Sequence, residues 1–339
     1  MESSAKTGPD SSVKWKSILR YILAMREMSL LLIILVFVVV MSITSVHFPT
    51  WANIRVLLTS VSVDGLVVIG MTIVLISGGI DLSVGSVLAF GMTICARLYK
   101  DGMSPWLAAP IALALCAAIG LLIGFVVTKS KLSHFIVTLC FMGIVRGFVF
   151  AITSGIPISL ISEMPAHESF RFLGQGQIGG VFPMTVLIFL VAVVAAEFIT
   201  RNSAAMRKVF YTGSNDQAAR YSGINVNRVR VIACMIPSVL AGFAGILYMT
   251  RFSGAQLSAG GGLEMIAIAS TVIGGASLTG GRGTVLGSVL GLTLMALVQN
   301  AMTLFIVPPF WQDMIRYMIV LAAVLLDKAQ QNRRLRLQS

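Results

Sequence analysis

The chain has 339 residues, of which 57% are hydrophobic and only 11% are charged. Soluble domains carry about 25% charged residues, so this composition excludes a soluble protein and predicts one that is surrounded by lipid. The net charge of +12 would also suit a nucleic-acid partner, but the basic residues follow the two sides of a membrane, which argues against nucleic acid.

Ten apolar segments follow one another along the chain. A spanning helix needs about 20 mostly apolar residues, because every backbone polar group has to be paired inside the bilayer. The segments lie near residues 28–46, 54–77, 84–99, 107–128, 134–153, 183–200, 231–250, 263–275, 284–305 and 312–327. Those at 84–99, 263–275 and 312–327 are short, which indicates half-helices or tilted helices. The predicted fold class is all-α integral membrane, with about ten transmembrane helices.

The basic residues predict the orientation of these helices. If the N-terminus is cytoplasmic and each segment crosses once, 18 of the 25 Lys and Arg residues lie on the cytoplasmic side and 5 on the other side. Such a bias is the positive-inside rule. We therefore expect both termini to be cytoplasmic.

The polar segments outside the apolar core are few. Residues 1–27 are polar and lack the features of a signal peptide, so we expect a cytoplasmic N-terminal segment before a transmembrane domain at 28–327. Residues 328–339 form a basic cytoplasmic tail. Two loops are long: 154–182 on the outer side, and 201–230 on the cytoplasmic side.

Sequence motifs of catalysis are missing from the chain. It contains no GxxxxGK[ST] phosphate-binding loop, no HExxH, no GxSxG and no Cys/His cluster with metal-ligand spacing. We therefore expect no catalytic residue, metal or cofactor in this chain. Energy for a pump would have to come from another chain or from an ion gradient.

Ionisable residues inside the bilayer cost several kcal/mol, so they usually face a bundle interior or a water-filled cavity. Asp313 and Arg316 are three residues apart and are expected to form a local ion pair. Glu197 lies near the cytoplasmic end and is expected to reach water. The remaining candidates are Asp64, Asp81, Arg146 and Glu264.

The stretch GGIDLSVG, residues 78–85, places Asp81 among glycines after a long apolar run. Glycine lets a helix unwind, and Asp81 with Ser83 before VGSVLAFG suggests an N-cap for the next helix. Two interpretations stay open: a structural cap, or a broken helix at a gate or substrate path. A similar stretch, GGASLTGGRGTVLGSVLG at 274–291, is either an internal repeat or a chance likeness.

The cytoplasmic loop contains a second distinctive stretch, GSNDQAARYSGINVNRVR. Ser214, Asn215 and Asp216 offer capping oxygens for a short helix through about Tyr221, and Gly223 stands at its C-terminal end. A short helix on this face is suited to docking into the cleft of a partner. An ordinary surface loop is the alternative.

Three blocks together resemble the permease subunits of bacterial ABC importers for simple sugars such as ribose, xylose, galactose and arabinose. They are ISGGIDLSVGS (76–86), TGSNDQAARYSGINV (212–226) and VIGGASLTGGRGTVLGSVLG (272–291), and the likeness covers about residues 28–327. The resemblance implies a bacterial inner-membrane permease that pairs with a second copy or a paralogue. It also implies a separate cytoplasmic ATPase that uses the ATP, and a periplasmic substrate-binding protein.

The resemblance assigns roles to particular positions. The segment that matches the family's coupling helix, which docks on the ATPase, contains Gly213, Ser214, Asn215, Ala218, Ala219, Ser222, Gly223 and Ile224. The loop at 154–182 would help to receive the binding protein. The mechanism implied is alternating access driven by ATP.

Sugars are neutral and rich in hydroxyl groups, so their path needs hydrogen-bonding side chains more than charge. The candidates for the substrate path or gate are Asp64, Asp81, Ser83, Ser60, Ser62, Gln299 and Asn300. Helix–helix hydrogen bonding is the competing interpretation for the four neutral residues within spans. Alternative functions are a permease for a nucleoside, branched-chain amino acid or sugar-derived signal, an ion-coupled secondary transporter, and a scaffold protein.

Overall fold

The computed structural model describes residues 26–336 and is almost entirely helical. The expected N-terminal segment and the end of the basic tail lie largely outside these residues. The helices are α1 (Arg26–Thr44), α2 (Trp51–Ile76), α3 (Val84–Lys100), α4 (Pro105–Ser130), α5 (His134–Thr153), α6 (Glu168–Gln175), α7 (Met184–Asn202), α8 (Ala204–Ser214), α9 (Asp216–Tyr221), α10 (Val226–Phe252), α11 (Leu263–Ile273), α12 (Val285–Leu304) and α13 (Pro309–Arg336).

Eight of the described helices are long and apolar enough to cross a membrane, namely α1, α2, α4, α5, α7, α10, α12 and α13. This confirms the all-α integral membrane class. The helices α3 and α11 are shorter, with 17 and 11 residues, as their short apolar segments predicted. The segment near 312–327 is different, since it belongs to the 28-residue helix α13. The count of ten crossings stays a prediction.

The core of the bundle forms around α10, which packs against α2, α3 and α4. Close approach requires small residues there: a Cβ at Gly91 of α3 would stand 2.8 Å from the Cα of Gly242 in α10. Helix α2 is the most buried of these helices, since 89% of the residues in its most apolar stretch are buried inside the protein. Helices α1, α5, α7 and α13 instead present large apolar side chains outward, which suits contact with lipid.

Two non-helical segments enter the bundle from opposite ends. Residues 77–83 separate α2 from α3, which confirms the predicted break in the helix. Residues 253–262 connect α10 to the short helix α11. The second segment meets the first turn of α3, directly after the break, where a Cβ at Gly85 would stand within 2.1 Å of the carbonyl oxygen of Gly260. Irregular backbone is tolerated at such depth only where protein or a cavity surrounds it.

The segments predicted to share a side of the membrane do meet in space. On the outer side, Ile158–Ser159 (β1) pairs antiparallel with Gly254–Ala255 (β4). The outer loop also contains a second small ladder, Gln177–Ile178 (β2) with Phe182–Pro183 (β3), and a 3₁₀ turn at Met164–His167. On the cytoplasmic side, the segments around residues 78, 213 and 280 are in contact. These groupings are consistent with the predicted orientation.

The cytoplasmic segment at 201–230 is more ordered than the sequence indicated. It was expected to be a loop with one short helix, but α8 precedes that helix and α10 already begins at Val226. Ser203 caps α8, since its side chain accepts a hydrogen bond from the Met206 amide. The run AAMRKVFYTGS has no long apolar stretch, so a search for spanning segments could not find α8.

Candidate functional site

A cavity of about 230 Å³ lies in the outer half of the bundle, between α2, α12 and α13. Four of the residues predicted for the substrate path line it: Ser60, Asp64, Gln299 and Asn300. The sequence therefore pointed to residues from two helices, separated by more than 230 positions, that the fold brings to one cavity. Whether a substrate touches them stays a prediction.

Charge in this cavity comes from Asp64 and Arg316, which both line it. Arg251, at the outer end of α10, also acts on Asp64 electrostatically. Arg316 Nη1 is 3.1 Å from Asp313 Oδ1, which confirms the predicted local ion pair. Arg316 thus pairs with Asp313 and also lies close enough to Asp64 to act on its charge; the sequence predicted only the pair with Asp313.

Neutral hydrogen-bonding groups line the rest of the polar wall. Asn300 and Asn53 hold each other by reciprocal amide bonds of 2.7 and 3.1 Å. Thr303, one turn beyond Gln299, also lines the cavity and was missed by sequence analysis, although its spacing from Gln299 would have indicated a shared helix face. Ser62 lies outside this cavity, and its hydroxyl donates to the Leu58 carbonyl within the same helix.

The break between α2 and α3 holds Asp81 and Ser83, which are both buried and lie apart from the outer cavity. Asp81 Oδ1 accepts hydrogen bonds from the Ser83 amide (2.8 Å) and the Ser83 hydroxyl (2.6 Å). Ser83 occupies the cap position of α3, so the interpretation of Asp81 as the N-cap of the next helix is wrong. Through these two hydrogen bonds Asp81 instead stabilises the turn that precedes the helix. Its other oxygen, Oδ2, is buried without a hydrogen-bond partner among the described residues.

Side chains from α5 and α10 hold this break in place. The Thr138 hydroxyl donates to the Ile80 carbonyl at 3.1 Å. His134 packs against Gly79, where an added Cβ would stand 2.7 Å from the imidazole ring. His134 Nε2 also lies 3.1 Å from the Cys234 sulfur. The unwound backbone is therefore fixed by specific contacts.

The three sequence blocks that carried the resemblance meet at the cytoplasmic end. A Cβ at Gly213 would stand 1.8 Å from the Ile76 carbonyl oxygen and 2.7 Å from the Gly281 amide nitrogen. The Gly281 amide donates to that same carbonyl at 2.8 Å. Gly280 approaches Gly78 in the same way, with 2.8 Å between a Cβ and the Gly78 Cα. Three separate segments thus touch backbone to backbone, which requires glycine.

The short helix predicted in the cytoplasmic loop is confirmed as α9. Asn215 caps it, because its side chain accepts from the Ala218 amide at 3.0 Å. At the other end Gly223 has φ +79°, and the Ile224 amide bonds to the Ala219 carbonyl while the Gly223 amide bonds to the Arg220 carbonyl. This pattern is a Schellman motif.

A cleft of about 500 Å³ lies along one face of α9, next to the end of α8. Ala219 is buried, and Tyr211 and Tyr221 are exposed at 58% and 91%. Six of the eight residues predicted for the coupling segment line the cleft, together with Tyr211; they are Ser214, Asn215, Ala218, Ala219, Ser222 and Ile224. Gly213 lies behind the cleft, in contact with α2.

Three other charged residues from the sequence analysis have structural partners. Arg146 donates to the carbonyls of Leu257 and Ala259, both at 2.9 Å, and so anchors the segment before α11. Glu264, in the first turn of α11, lies near Arg146. Glu197 does not reach water as expected: its carboxylate is buried, accepts from the Leu286 amide at 3.0 Å and pairs with Arg201. Thr284 is the N-cap of α12, and Glu197 satisfies one further amide of the first turn, a role that only the packing of α7 on α12 reveals.

A multi-pass helical protein with several polar side chains around a cavity in its outer half, and a short helix beside a cleft at its cytoplasmic end, is typical of a membrane transport permease. Residues 53–324 match the family described as the permease component of branched-chain amino acid transport systems. The chain belongs to this family. It is therefore a transport subunit and a multi-pass protein of the inner membrane.

Among the relatives, the ribose import permease protein of Escherichia coli K12 is 35% identical over 90% of this chain and 94% of its own length. The corresponding protein of Bacillus subtilis is 34% identical over 90% of this chain and 93% of its own length. The L-arabinose ABC transporter permease protein of Azospirillum brasilense is 34% identical over 90% of this chain and 88% of its own length. No solved structure matches the chain.

Proposed function

We propose that this chain is the membrane-spanning permease subunit of an ATP-dependent importer, and that it forms the path for a monosaccharide. The names of its relatives support this substrate class, since two ribose permeases and an arabinose permease resemble it over nine tenths of its length. The neutral side chains of Ser60, Gln299 and Asn300 in the outer cavity suit sugar hydroxyl groups.

The partners in this proposal are a cytoplasmic ATPase, a periplasmic binding protein, and a second permease copy or a paralogue. The ATP is hydrolysed by the ATPase, because this sequence contains no phosphate-binding loop, and the permease binds no cofactor of its own. The ATPase docks on α9 and the adjoining cleft. The outer loop at 154–182 receives the binding protein.

The contact made by Gly213 is the observation that carries the mechanism. Gly213 lies in the last turn of α8, beside α9, and touches both Ile76, the last residue of α2, and Gly281, in the segment that leads into α12. Helices α2 and α12 form two walls of the outer cavity. A displacement of α9 by the ATPase is therefore passed to both walls, which can open or close the cavity in an alternating-access cycle.

The outer loop at 154–182 is bonded to the end of α3, so a protein that binds the loop can act on that helix. Lys100 Nζ lies 2.9 Å from Glu163 Oε1 and donates to the Ser159 carbonyl at the same distance. The Tyr99 hydroxyl donates to the Glu163 carbonyl at 2.6 Å. These bonds join the outer loop to the end of α3, so a load on the loop reaches the helix that follows the break.

One observation favours a second candidate substrate, a branched-chain amino acid. Asp64 and Arg316 present opposite charges in the same cavity, as a zwitterion would require, and the family description names this substrate class. The two candidates differ in a measurable way, because replacing either charge should abolish uptake of an amino acid and leave some uptake of a sugar.

Uptake into proteoliposomes tests the proposal. The chain is reconstituted with a partner ATPase and binding protein, and labelled ribose, arabinose and leucine are supplied outside. We expect ATP-dependent uptake of a sugar that is lost when ATP is withheld. Uptake by the chain alone on an ion gradient would refute the importer assignment, and ATP-dependent uptake of leucine but not of sugar would establish the second candidate.

A further inference from the structure

A second polar cavity, of about 530 Å³, opens at the cytoplasmic end, on the face of α9 that points away from the docking cleft. Its walls come from the turn between α4 and α5, from α9 and from the first turns of α10. The turn joins two spanning helices, so the cavity lies at the depth of the lipid headgroups. Nothing in the proposed transport path uses it.

The side chains of this cavity carry an excess of positive charge. Lys131, Arg220 and Arg230 line it, and Asp216 is the one carboxylate among its lining residues. Asp216 lies 3.2 Å from both guanidinium groups, one on each carboxylate oxygen. Three cations facing one carboxylate leave two positive charges without a counter-ion in the described part of the chain.

The donors of these cations are only partly used. Arg220 gives one N–H to Asp216 and another to Asn227 Oδ1 at 3.3 Å, and Arg230 gives one to Asp216. A guanidinium has five N–H donors, so both arginines keep donors for another acceptor. No hydrogen bond or ion pair of Lys131 is found in the part of the chain that the structure describes. Planar forks beside an ammonium group suit the oxygens of a phosphate.

We propose that this cavity binds a phosphate group, carried either by an anionic phospholipid headgroup or by a free phosphate of the cytoplasm. A carboxylate of a protein partner would suit the site less well, because the cavity is recessed at headgroup depth, where basic pockets between helices bind lipid phosphates. The bound phosphate bridges Lys131 of the α4–α5 turn to Arg220 of α9. Binding is independent of the proposed transport function, although any effect on transport rests on it.

The bridge has a consequence for coupling. Gly78, at the start of the helix break, is exposed into the same cavity. Occupancy therefore ties the docking helix to the membrane-embedded turn beside the break. A bound phosphate should hold α9 in one position relative to α2 and so set how far the ATPase can move it.

Thermal unfolding of the full chain in lipid nanodiscs tests the binding. In phosphatidylcholine nanodiscs, inorganic phosphate is titrated against sodium chloride of equal ionic strength; in a second arm, phosphatidylglycerol replaces part of the phosphatidylcholine. A ligand that binds only the folded state raises the melting temperature. We expect stabilisation in at least one arm, and the arm that responds identifies the source of the phosphate.

Variants at Lys131 locate the site. Lys131→Gln should weaken the binding of the stabilising anion about fivefold, since each basic residue near a membrane surface contributes about 1 kcal/mol to anion binding. Lys131→Arg should restore it. Lys129→Gln is the matched control, because Lys129 lies over the Phe125 ring, 5.9 Å from its centroid, and does not line the cavity.

Three results would overturn the proposal. They are an absence of stabilisation in both arms, equal losses in the Lys129→Gln and Lys131→Gln proteins, and a Lys131→Gln protein that responds like wild type. Lys131 has a left-handed backbone with φ +56°, which glutamine and arginine tolerate no better than lysine, so the variants are matched in backbone strain. A defect of Lys131→Gln confined to ATPase binding, with no phosphate response in wild type, would show a protein contact instead.

Discussion

Replacing Gly213 with alanine tests the contact on which the mechanism depends. The new methyl group would stand 1.8 Å from the Ile76 carbonyl oxygen and 2.7 Å from the Gly281 amide nitrogen. Both neighbours are backbone atoms, so neither can rotate away. The segments have to separate, and the bond of 2.8 Å from the Gly281 amide to the Ile76 carbonyl is then lost.

The size of the effect follows from three contributions. Forcing an extra methyl into a packed site costs about 1–3 kcal/mol, and a buried backbone group without its partner costs about 1–3 kcal/mol. Alanine is the better helix former, which offsets about 1 kcal/mol within α8. We expect a net destabilisation of about 1–5 kcal/mol.

Two assays measure this prediction. Equilibrium unfolding of the purified chain in detergent gives the change in free energy, and ATP-dependent uptake by the reconstituted importer gives the change in coupling. Gly143→Ala in α5 is the matched control, since no heavy atom lies within 4 Å of its Cβ position, and it should change stability by no more than about 1 kcal/mol in the favourable direction. A Gly213→Ala protein with wild-type stability and uptake would refute the reasoning.

Three further predictions concern the two ends of the bundle. Gly223→Val and Gly102→Val each place a β-branched residue at a left-handed position of a Schellman motif, with φ +79° and +94°, and both should lose about 1–2 kcal/mol of stability in thermal unfolding. Only Gly223→Val should uncouple ATP hydrolysis from uptake, and equal uptake by the two variants would contradict the docking role. Asn300→Ala leaves Asn53 without its reciprocal amide bonds and should cost about 0.6–2 kcal/mol. Asn53→Ala also removes the bond to the Phe48 carbonyl; in a double-mutant cycle of unfolding free energies the double variant should lose less than the sum of the two single variants, and additive losses would argue against the pair. The hydrogen bond from Lys100 holds the pKa of Glu163 below its ordinary value of 4.5, so the contact is complete above about pH 4.5 and is lost as the pH falls through that lower pKa. The outer loop should then lose hydrogen-exchange protection at low pH, and unchanged protection would oppose this assignment.

Glycine and charge patterns carried most of the correct predictions. The break at 77–83 followed from Gly78 and Gly79 inside an apolar run, since a residue without a side chain marks where a spanning helix can unwind. The helix α9 followed from Asn215 and Gly223, which carry the two end signals of a helix within ten residues. Asp64 was a candidate because a charge in lipid is costly, and Gln299 because sugars need hydrogen-bonding partners; the structure shows that both line one cavity, and their contact with a substrate stays a prediction.

The errors came from contacts between distant segments. One of the two interpretations of Asp81 was a helix cap, because it stands just before α3, yet its oxygen bonds to Ser83, and Ser83 holds the cap position. Glu197 was expected in water, yet the packing of α7 against α12 buries it over the Leu286 amide. The additional helix α8 was missed because it is too polar and short to resemble a span.

The sequence by itself determined that this protein is surrounded by lipid, that it is all-helical, and where several of its helices break or end. Those properties depend on local composition and on neighbours a few residues away, so one segment at a time is enough to predict them. Only the tertiary structure decided that the glycines at 78, 213 and 280 touch one another, and that α2 and α12 share both this junction and the outer cavity. Glycine permits close approach anywhere, and the packing of the whole bundle selects which backbones meet.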